Sequence, residues 1–461
     1  MCKRHHYNIT KATFYDDTDH YKHTHKNKSE IMEDFQKFHE KNGEKIHRFH
    51  GKKRSIPYAY TLLKFKDINR TRPIVSYFKH PLKETYNFAS RALAHVIKMA
   101  QTNNFTLWKC QDMKQRIQKA QQDLTSQFNN TTKIMPLCAD IKNMYTELPH
   151  EEILKSIKFM LRRCQQKTRR KHVTLERKKR GEIHLGKTNA VTSTTHVTLS
   201  FDKIYDICKY DIENTYFESL GTLLHQTRGV PMGSPGSPSY AICICTYYEH
   251  LLHEKLKQFE HNGEIYDCTP ITKGMRYIDD LLVFLAWDKS DAKTKDLADA
   301  IIKYIQENTY HKFMKLKSED TTKPFCFLEG IISVKEKEDH HDCIEIKYNN
   351  KNFDHLVKTK KIKLHTLQHR HSFITNNQAK AKIIGQLHRM KRTVLSDEKL
   401  LIAVQEFTYI ATHLKYTKRE IMGAICHMLK NDTSWITVYM KLSKQWDVFP
   451  PNPLHINGDV I

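Results

Sequence analysis

No apolar run in this chain approaches the roughly 20 residues that a helix needs to cross a bilayer. The opening Met1-Cys2-Lys3-Arg4-His5-His6 lacks the apolar core of a secretory signal. Cysteine supplies no framework. The eleven residues are scattered, and the closest pair, Cys243 and Cys245, has one residue between them where a zinc knuckle has two. An odd count without framework spacing argues against disulfides and cysteine zinc sites and fits a reducing compartment, cytosol or nucleus. Acid is also in short supply, with 51 Asp and Glu against 76 Lys and Arg, a net charge of +25. A protein this basic is commonly paired with a polyanion, and counterion release from phosphates drives such binding whatever the base sequence. Nucleic acid is the expected partner. A membrane surface is the competitor, but the basic segments lack an amphipathic anchor. His20, His23 and His25, and His340 and His341 with Cys343, invite a metal reading. A zinc site needs four convergent ligands, and these residues sit in polar, loop-like stretches, so they read as solvated.

What is present centres on Met275-Arg276-Tyr277-Ile278-Asp279-Asp280-Leu281-Leu282-Val283-Phe284-Leu285, two acids between apolar, β-prone runs. This pattern predicts a hairpin with carboxylates displayed at its tip. Adjacent ionised acids repel, so a site that keeps both charged usually holds cations or strong donors. Two hard divalent ions on Asp oxygens activate a hydroxyl and stabilise a leaving pyrophosphate. The plain alternative is a solvated Asp-Asp turn, and Tyr15-Asp16-Asp17, with no apolar strand behind it, reads as one.

At 461 residues the chain has room for two or three subdomains. Residues 1–50 read as a tail or a loosely packed helical lead-in. Ile56 to Lys66 reads as a strand ending in Lys64 and Lys66, and Arg70 to Ser76 as a second strand with Arg72 at its mouth. Together they suit a triphosphate or form a solvated basic hairpin. Pro81 to about Phe128 reads as helical scaffold, with Leu82, Tyr86, Phe88, Leu93, Val96, Ile97 and Met99 on a buried face. Ile134 to Tyr145 predicts a strand delivering Asp140, with Tyr145 five residues on. Asp140 suits a third metal ligand, bridging both cations with Asp279, or the cap of a helix starting near Pro149. Tyr145 suits a floor under an incoming sugar that rejects a 2′-hydroxyl by volume. A basic insertion follows, including Arg177-Lys178-Lys179-Arg180, which reads as a solvated face, a template contact or a nuclear-import patch, with β-prone Thr192 to Phe201 at its end. Gln226 to Pro238 is a glycine- and proline-rich loop in which Gly229 and Gly233 let backbone approach a base pair, and Ser237-Pro238 opens a helix. Ser290 to Asn308 reads as a helix, Phe313 to Lys317 as a strand and Phe325 to Ile332 as a hairpin. The tract from about 345 to 445 is helical and basic, with 12 Lys or Arg against 3 Asp or Glu in 351–400.

In this order the stretches resemble a reverse transcriptase, most closely those of Penelope-like retroelements, relatives of telomerase catalytic subunits. Asp140-Ile141-Lys142-Asn143-Met144-Tyr145-Thr146-Glu147-Leu148-Pro149 resembles the first catalytic motif, and Arg276 to Asp280 the second. Gln226-x-x-Gly229-x-x-Met232-Gly233-Ser234-Pro235 resembles the nucleotide- and template-positioning motif in its Penelope-like form. Arg72 to Ser76 is similar to the fingers motif, and Leu387 to Arg392 with Leu414-Lys415-Tyr416 to the thumb. The similarity runs from about Pro57 to about Met428. It implies an α+β right-hand polymerase: fingers (51–133), an antiparallel-sheet palm in two parts (134–160 and 223–340) around the insertion (161–222), a helical thumb (341–448) and a tail (449–461).

The implied activity is RNA-directed DNA synthesis, extending a DNA or RNA primer with dNTPs on an RNA template inside the cell, in the nucleus. The implied metal ligands and catalytic acids are Asp140, Asp279 and Asp280, holding two Mg2+ ions, with Mn2+ as a substitute. Tyr145 would be the sugar gate, Lys64 and Arg72 would hold the triphosphate, Gln226 and Gly233 would support nucleotide or template, and Lys315 or Lys317 would protonate the pyrophosphate. Two departures stand out. Phe327-Leu328-Glu329 replaces the family's frequent Phe-Leu-Asp, and neither Gly-Ile-Tyr nor Tyr-Ile-Gly of the associated nuclease occurs. No RNase H domain is apparent. The rival readings are a catalytically silent RNA-binding descendant, an RNA-dependent RNA polymerase and a fragment of a longer polyprotein.

Overall fold

The computed structural model describes residues 2–47, 54–64, 67–178, 181–186, 193–337, 340–364 and 366–445. Lys66, Lys179-Arg180, Thr192 and the 449–461 tail lie outside these. In chain order, α1 (Lys3–Phe14), β1 (Tyr21–His23) and α2 (Lys28–Asn42) lead to β2 (Tyr58–Lys64) and β3 (Asp67–Ser76). Next come α3 (Lys83–Met99), α4 (Met113–Thr125), β4 (Thr132–Ile141), the single-turn α5 (Met144–Glu147) and α6 (His150–Thr168). Strands β5 (His172–Glu176), β6 (Ile183–Gly186) and β7 (His196–Ser200) precede α7 (Phe201–Glu213), β8 (Tyr216–Ser219), β9 (Thr222–Gln226) and α8 (Ser237–Leu256). Strands β10 (Phe259–His261), β11 (Glu264–Tyr266), β12 (Thr272–Tyr277) and β13 (Asp280–Asp288) are followed by α9 (Ala292–Asn308) and β14 (Leu316–Ser318). The chain continues through β15 (Phe325–Phe327), β16 (Gly330–Lys337), β17 (His340–Tyr348), α10 (Phe353–Thr359), α11 (Asn376–Thr393), α12 (Asp397–His413), α13 (Lys418–Asn431) and α14 (Ile436–Gln445). The contacts divide the chain into two units. Among the described residues no helix is long and apolar enough to cross a membrane.

The first unit comprises Met1–Thr106, Asp140–Thr269 and Ala300–Lys317. Its main sheet has the order β1-β9-β8-β2-β3. Helix α3 buries Tyr86, Leu93, Val96 and Ile97 at helical spacing, as the sequence predicts. Helix α8 is buried on nearly every side, which suits its run of Ala, Ile, Cys and Tyr. The lead-in is not a tail. Phe14, Ile31 and Phe35 are fully buried, the Phe14 ring lies 5.5 Å from that of Phe217, and β1 pairs with β9 through Tyr21 and Gln226. Arg177 departs from the solvated reading too. Its Nη2 donates to the Lys45 carbonyl at 3.1 Å and its Nε to the Ser193 carbonyl at 3.0 Å, so it ties two loops together. The insertion is folded: β6-β5-β7 form a sheet, and α6 runs on through residue 160 to Thr168.

The second unit comprises Leu107–Ala139, Pro270–Asp299 and Ser318–Ile461. The helical stretch expected from Pro81 to Phe128 is therefore two helices in different units, parted by the non-helical 100–109. A four-stranded sheet has the order β12-β13-β4-β14. A second sheet, β15-β16-β17, and helix α4 share a core with it, built from Ile117, Leu124, Ile134, Leu282, Phe284, Phe325 and Ile344. The strand expected over Phe313 to Lys317 is only Leu316–Ser318, because Phe313 and Met314 lie in a turn. Helices α10 to α14 enclose a separate core around Trp435, Leu387, Leu400, Val404 and Ile425.

Candidate functional site

In the second unit, β12 and β13 pair without interruption from Thr272 and Leu285 to Tyr277 and Asp280, leaving Ile278-Asp279 as a two-residue turn. The expected hairpin is present. Its root is dry, with Leu281 to Ala286 wholly buried, while Tyr277 to Asp280 are half-buried at the tip. Ile278 has φ 58°. A β-branched residue rarely adopts that left-handed conformation, which costs on the order of 1–3 kcal/mol. Arg276, fully buried, donates from Nη1 to the Ile278 carbonyl at 2.8 Å. A guanidinium inside the hairpin thus holds the strained turn that displays the two acids.

Asp140 is the penultimate residue of β4, half-buried, and β4 is the neighbour of β13 in the sheet order. The helix-cap alternative is not realised. Helix α6 is capped by Pro149 and α5 by Asn143, neither with a side-chain cap bond. Carboxylate oxygens are the donors that Mg2+ prefers, and such ions are usually held by one or two carboxylates completed by substrate phosphates and water. The chemistry of the three carboxylates suits that mode, but among the described residues they are not grouped into a preformed site. Among the described residues no group of three or more His, Cys, Asp or Glu is gathered to hold a metal, and His20, His23 and His25 form none.

In the first unit, the glycine-rich loop after β9 is stitched to the chain on both sides. The Val230 N–H donates to the Tyr145 carbonyl at 2.7 Å and the Gly229 N–H to that of Leu148 at 2.9 Å. On the other side the Val75 N–H donates to the Met232 carbonyl at 3.1 Å, three residues beyond Arg72. Gly229 (φ 74°) has no room for a Cβ, which would lie 2.4 Å from the Thr146 carbonyl oxygen. A Cβ on Gly233 (φ 143°) would lie 2.2 Å from the Val75 oxygen. Both glycines let the protein's own backbone approach closely on the side where a Cβ would stand.

The loop joins predicted and unpredicted residues. Tyr145 is half-buried on α5, which opens with Asn143 in the left-handed region at φ 51°. Gln226 is 1% exposed and its Nε2 donates to the Arg228 carbonyl at 2.9 Å, so it acts on the loop and has no open surface for a nucleotide. Arg72 is exposed opposite Leu62 in the β2–β3 hairpin, and Lys64 pairs with Asp67 beyond a register shift. Gly233 is exposed. Lys315 and Lys317 are both exposed, and nothing in their surroundings chooses between them. Sequence reasoning missed Arg228 and Glu147, an ion pair at 2.5 Å with the guanidinium 3.8 Å over the Phe313 ring. It also missed His150, whose Nε2 donates to the Gly229 carbonyl at 2.7 Å and whose pKa is lowered by burial.

Asp211 was missed as well. Wholly buried beneath the loop, its Oδ2 accepts from Ser234 Oγ at 3.1 Å and Tyr240 OH at 2.9 Å, while Oδ1 has no partner among the described residues. Burial pushes its carboxyl up to about 7, against the opposing pull of those two hydroxyls. A Cβ on Gly236 would sit 2.5 Å from Oδ2, so that glycine is the gap through which the acid reaches the loop.

Telomerase from Candida albicans, solved in complex with a TWJ fragment of telomeric RNA, superimposes on 95% of this chain with a TM-score of 0.52 at 13% identity. The fold is telomerase-like. The match covers 68% of the Candida albicans chain, and apo telomerase from Candida tropicalis matches 94% of this chain and 71% of its own, with 12% identity and a TM-score of 0.46. At these identities the likeness is one of fold alone, a mixed α+β fold. No family model and no curated protein sequence matches.

Proposed function

We propose that this chain is an RNA-directed DNA polymerase that extends a primer 3′-end with dNTPs, with the motif order pointing to a Penelope-like retroelement origin. The observation that carries the reading is the hairpin. Two adjacent carboxylates are displayed on a strained, internally clamped turn, in a telomerase-like fold. In this reading the first unit's β2–β3 hairpin and glycine-rich loop belong to the fingers and the nucleotide platform, the β12-β13-β4-β14 sheet is the palm, and α10 to α14 form the thumb. Asp140, Asp279 and Asp280 would hold two Mg2+ ions, which when bound would supply the charge that eases deprotonation of a 3′-hydroxyl and leaving of pyrophosphate.

The chain's own residues do the positioning, which is most of catalysis in phosphoryl transfer. Arg72 and Lys64 present cations to a triphosphate, Arg as a fork and Lys as a point charge. Tyr145, fixed through its carbonyl by Val230, lies under the sugar, and Gln226 holds the loop from behind. Lys315 or Lys317 donates a proton to the leaving group. An RNA template, a primer and dNTPs are the partners, and the nucleus is the proposed location.

The test is extension of a labelled DNA primer on an RNA template with Mg2+, in parallel arms with dNTPs or rNTPs. Extension by dNTPs that needs Asp279 supports the reading. Extension only by rNTPs would make it an RNA polymerase, and duplex binding without extension under varied metal and salt would make it a silent RNA-binding protein. Tyr145→Ala is expected to raise ribonucleotide incorporation about tenfold or more, and unchanged discrimination removes Tyr145 as the gate.

A further inference from the structure

Away from the acids and the glycine-rich loop, helices α6, α7 and α8 of the first unit border an open groove of about 500 Å3. One wall is a ridge of α6 carrying Lys155, Lys158 and Arg162, all exposed and successive at i, i+3 and i+7. At 1.5 Å rise per residue these cations stand about 5 Å apart along the helix. The groove is lined as well by Phe159, Tyr205 of α7 and Tyr247 of α8. The Lys158 ammonium lies 5.0 Å over the Tyr205 ring and that of Lys155 5.7 Å over Tyr247, whose ring meets Phe159 edge-on at 5.0 Å. Lys155 also touches Glu152 at 3.4 Å, while Lys158 and Arg162 form no ion pair with a described carboxylate. Among the described residues Glu151 is the one acid lining the groove.

A basic helix face is ordinarily just solvated. What distinguishes this one is that its cations border a concave surface with aromatic rings. A polyanion alone needs only the ridge, and an apolar peptide only the rings. A single strand of nucleic acid uses both, phosphates on the ridge and bases against rings. The spread of three cations over two helical turns suits a backbone running along α6 rather than one phosphate. The direction is extended by Lys167, Arg169, Arg170 and Lys171, which follow on the same helix and its exit.

We propose that the α6–α7–α8 groove is a second nucleic-acid site, which holds single-stranded RNA outside the polymerisation site. The choice of RNA over DNA rests on the polymerase reading, since a chain that copies RNA must hold unpaired template. The groove anchors a strand without contributing to chemistry, and its cations set how tightly long templates bind.

The experiment measures binding of fluorescein-labelled dodecauridylate to the full chain by anisotropy across a salt series, in an Asp279→Asn background so that catalysis plays no part. Each backbone contact to a single strand contributes a slope of about 0.7 in log affinity against log salt. Lys155→Ala/Lys158→Ala/Arg162→Ala is therefore expected to reduce the slope by about 2. Tyr205→Ala is expected to weaken binding about tenfold with the slope unchanged. With Asp279 restored, the triple variant should extend a primer on a template barely longer than the primer as wild type does, and should need a higher concentration of a long single-stranded template. An unchanged slope overturns the proposal. So does a triple variant that keeps RNA binding but loses a poly-glutamate peptide, which makes the occupant a protein, or loses only the deoxy strand. Failure of every extension assay with the salt dependence intact would strike the polymerase reading and leave the groove's affinity for RNA standing.

Discussion

The glycine-rich loop of the first unit and the acidic hairpin tip of the second are both fixed, but by opposite means. The loop is held through main chain: carbonyls of Tyr145 and Leu148 on one side and the Val75 N–H on the other close onto glycines that leave no space for a Cβ. At the hairpin tip a side chain takes part, the Arg276 guanidinium on the Ile278 carbonyl, and the turn tolerates a branched residue in a left-handed conformation. Backbone stitching, supported from beneath by Gln226, His150 and Asp211, gives a platform whose shape is set by close main-chain approach. A side-chain clamp gives a turn whose strain is localised where two carboxylates have to be displayed. On this account the first region governs substrate placement and the second governs chemistry.

The sharpest way to break the contrast is Gly229→Ala. With φ 74° and a carbonyl oxygen 2.4 Å from the new Cβ, it should lower unfolding free energy by about 3 kcal/mol. Gly221→Ala, also at positive φ (86°) but with nothing within 4 Å, should cost only about 1 kcal/mol. Equal losses in chemical denaturation would mean that close approach is not what the loop requires.

Asp211→Asn comes next. In the native chain Asp211 keeps its proton up to about 7, whereas an unfolded Asp loses it near 4, so in that window the folded state binds more protons. Wild-type stability therefore falls as pH rises from about 4 to 7, by on the order of 3 kcal/mol relative to the variant. The groups around Asp211 are Ser234, Tyr240, Tyr77, Tyr86 and Cys208, and the tyrosines and the cysteine have pKa values raised by burial, so they stay neutral across this window. Parallel pH profiles for the two proteins would show that Asp211 is ionised throughout.

The smallest effect is expected for Ile278→Gly. Relief of the left-handed strain should stabilise the fold by about 1 kcal/mol while extension slows, because glycine gives the turn a freedom that isoleucine denies it. A gain in both stability and rate would show that the strain serves no purpose.

The parts legible in the sequence are those written locally. Alternation and a central Asp pair foretold the β12–β13 hairpin, and Ser237-Pro238 marked the start of α8 within a residue. Of the two readings of the lead-in the helical one holds, and a signal for it was present: Asn27 and Glu30 form a capping box at the start of α2. Contacts distant in sequence left no local trace. Arg228 meets Glu147 across 81 positions, Asp211 meets Ser234 across 23, and Arg177 finds carbonyls 131 and 132 positions away. Composition marks such residues only as charges, and the default for a charge is solvent. Glycine roles were legible as a need for close approach, but whether to ligand or to the chain itself depended on packing.

The most direct measurement of the central claim is single-turnover extension by Asp279→Asn, with primer–template affinity followed in the same reaction. The account predicts that affinity stays within about twofold while the extension rate falls on the order of 10³-fold or more, since the hairpin acids do chemistry and other surfaces hold the duplex. Extension at near wild-type rate by a variant that binds equally well would contradict it.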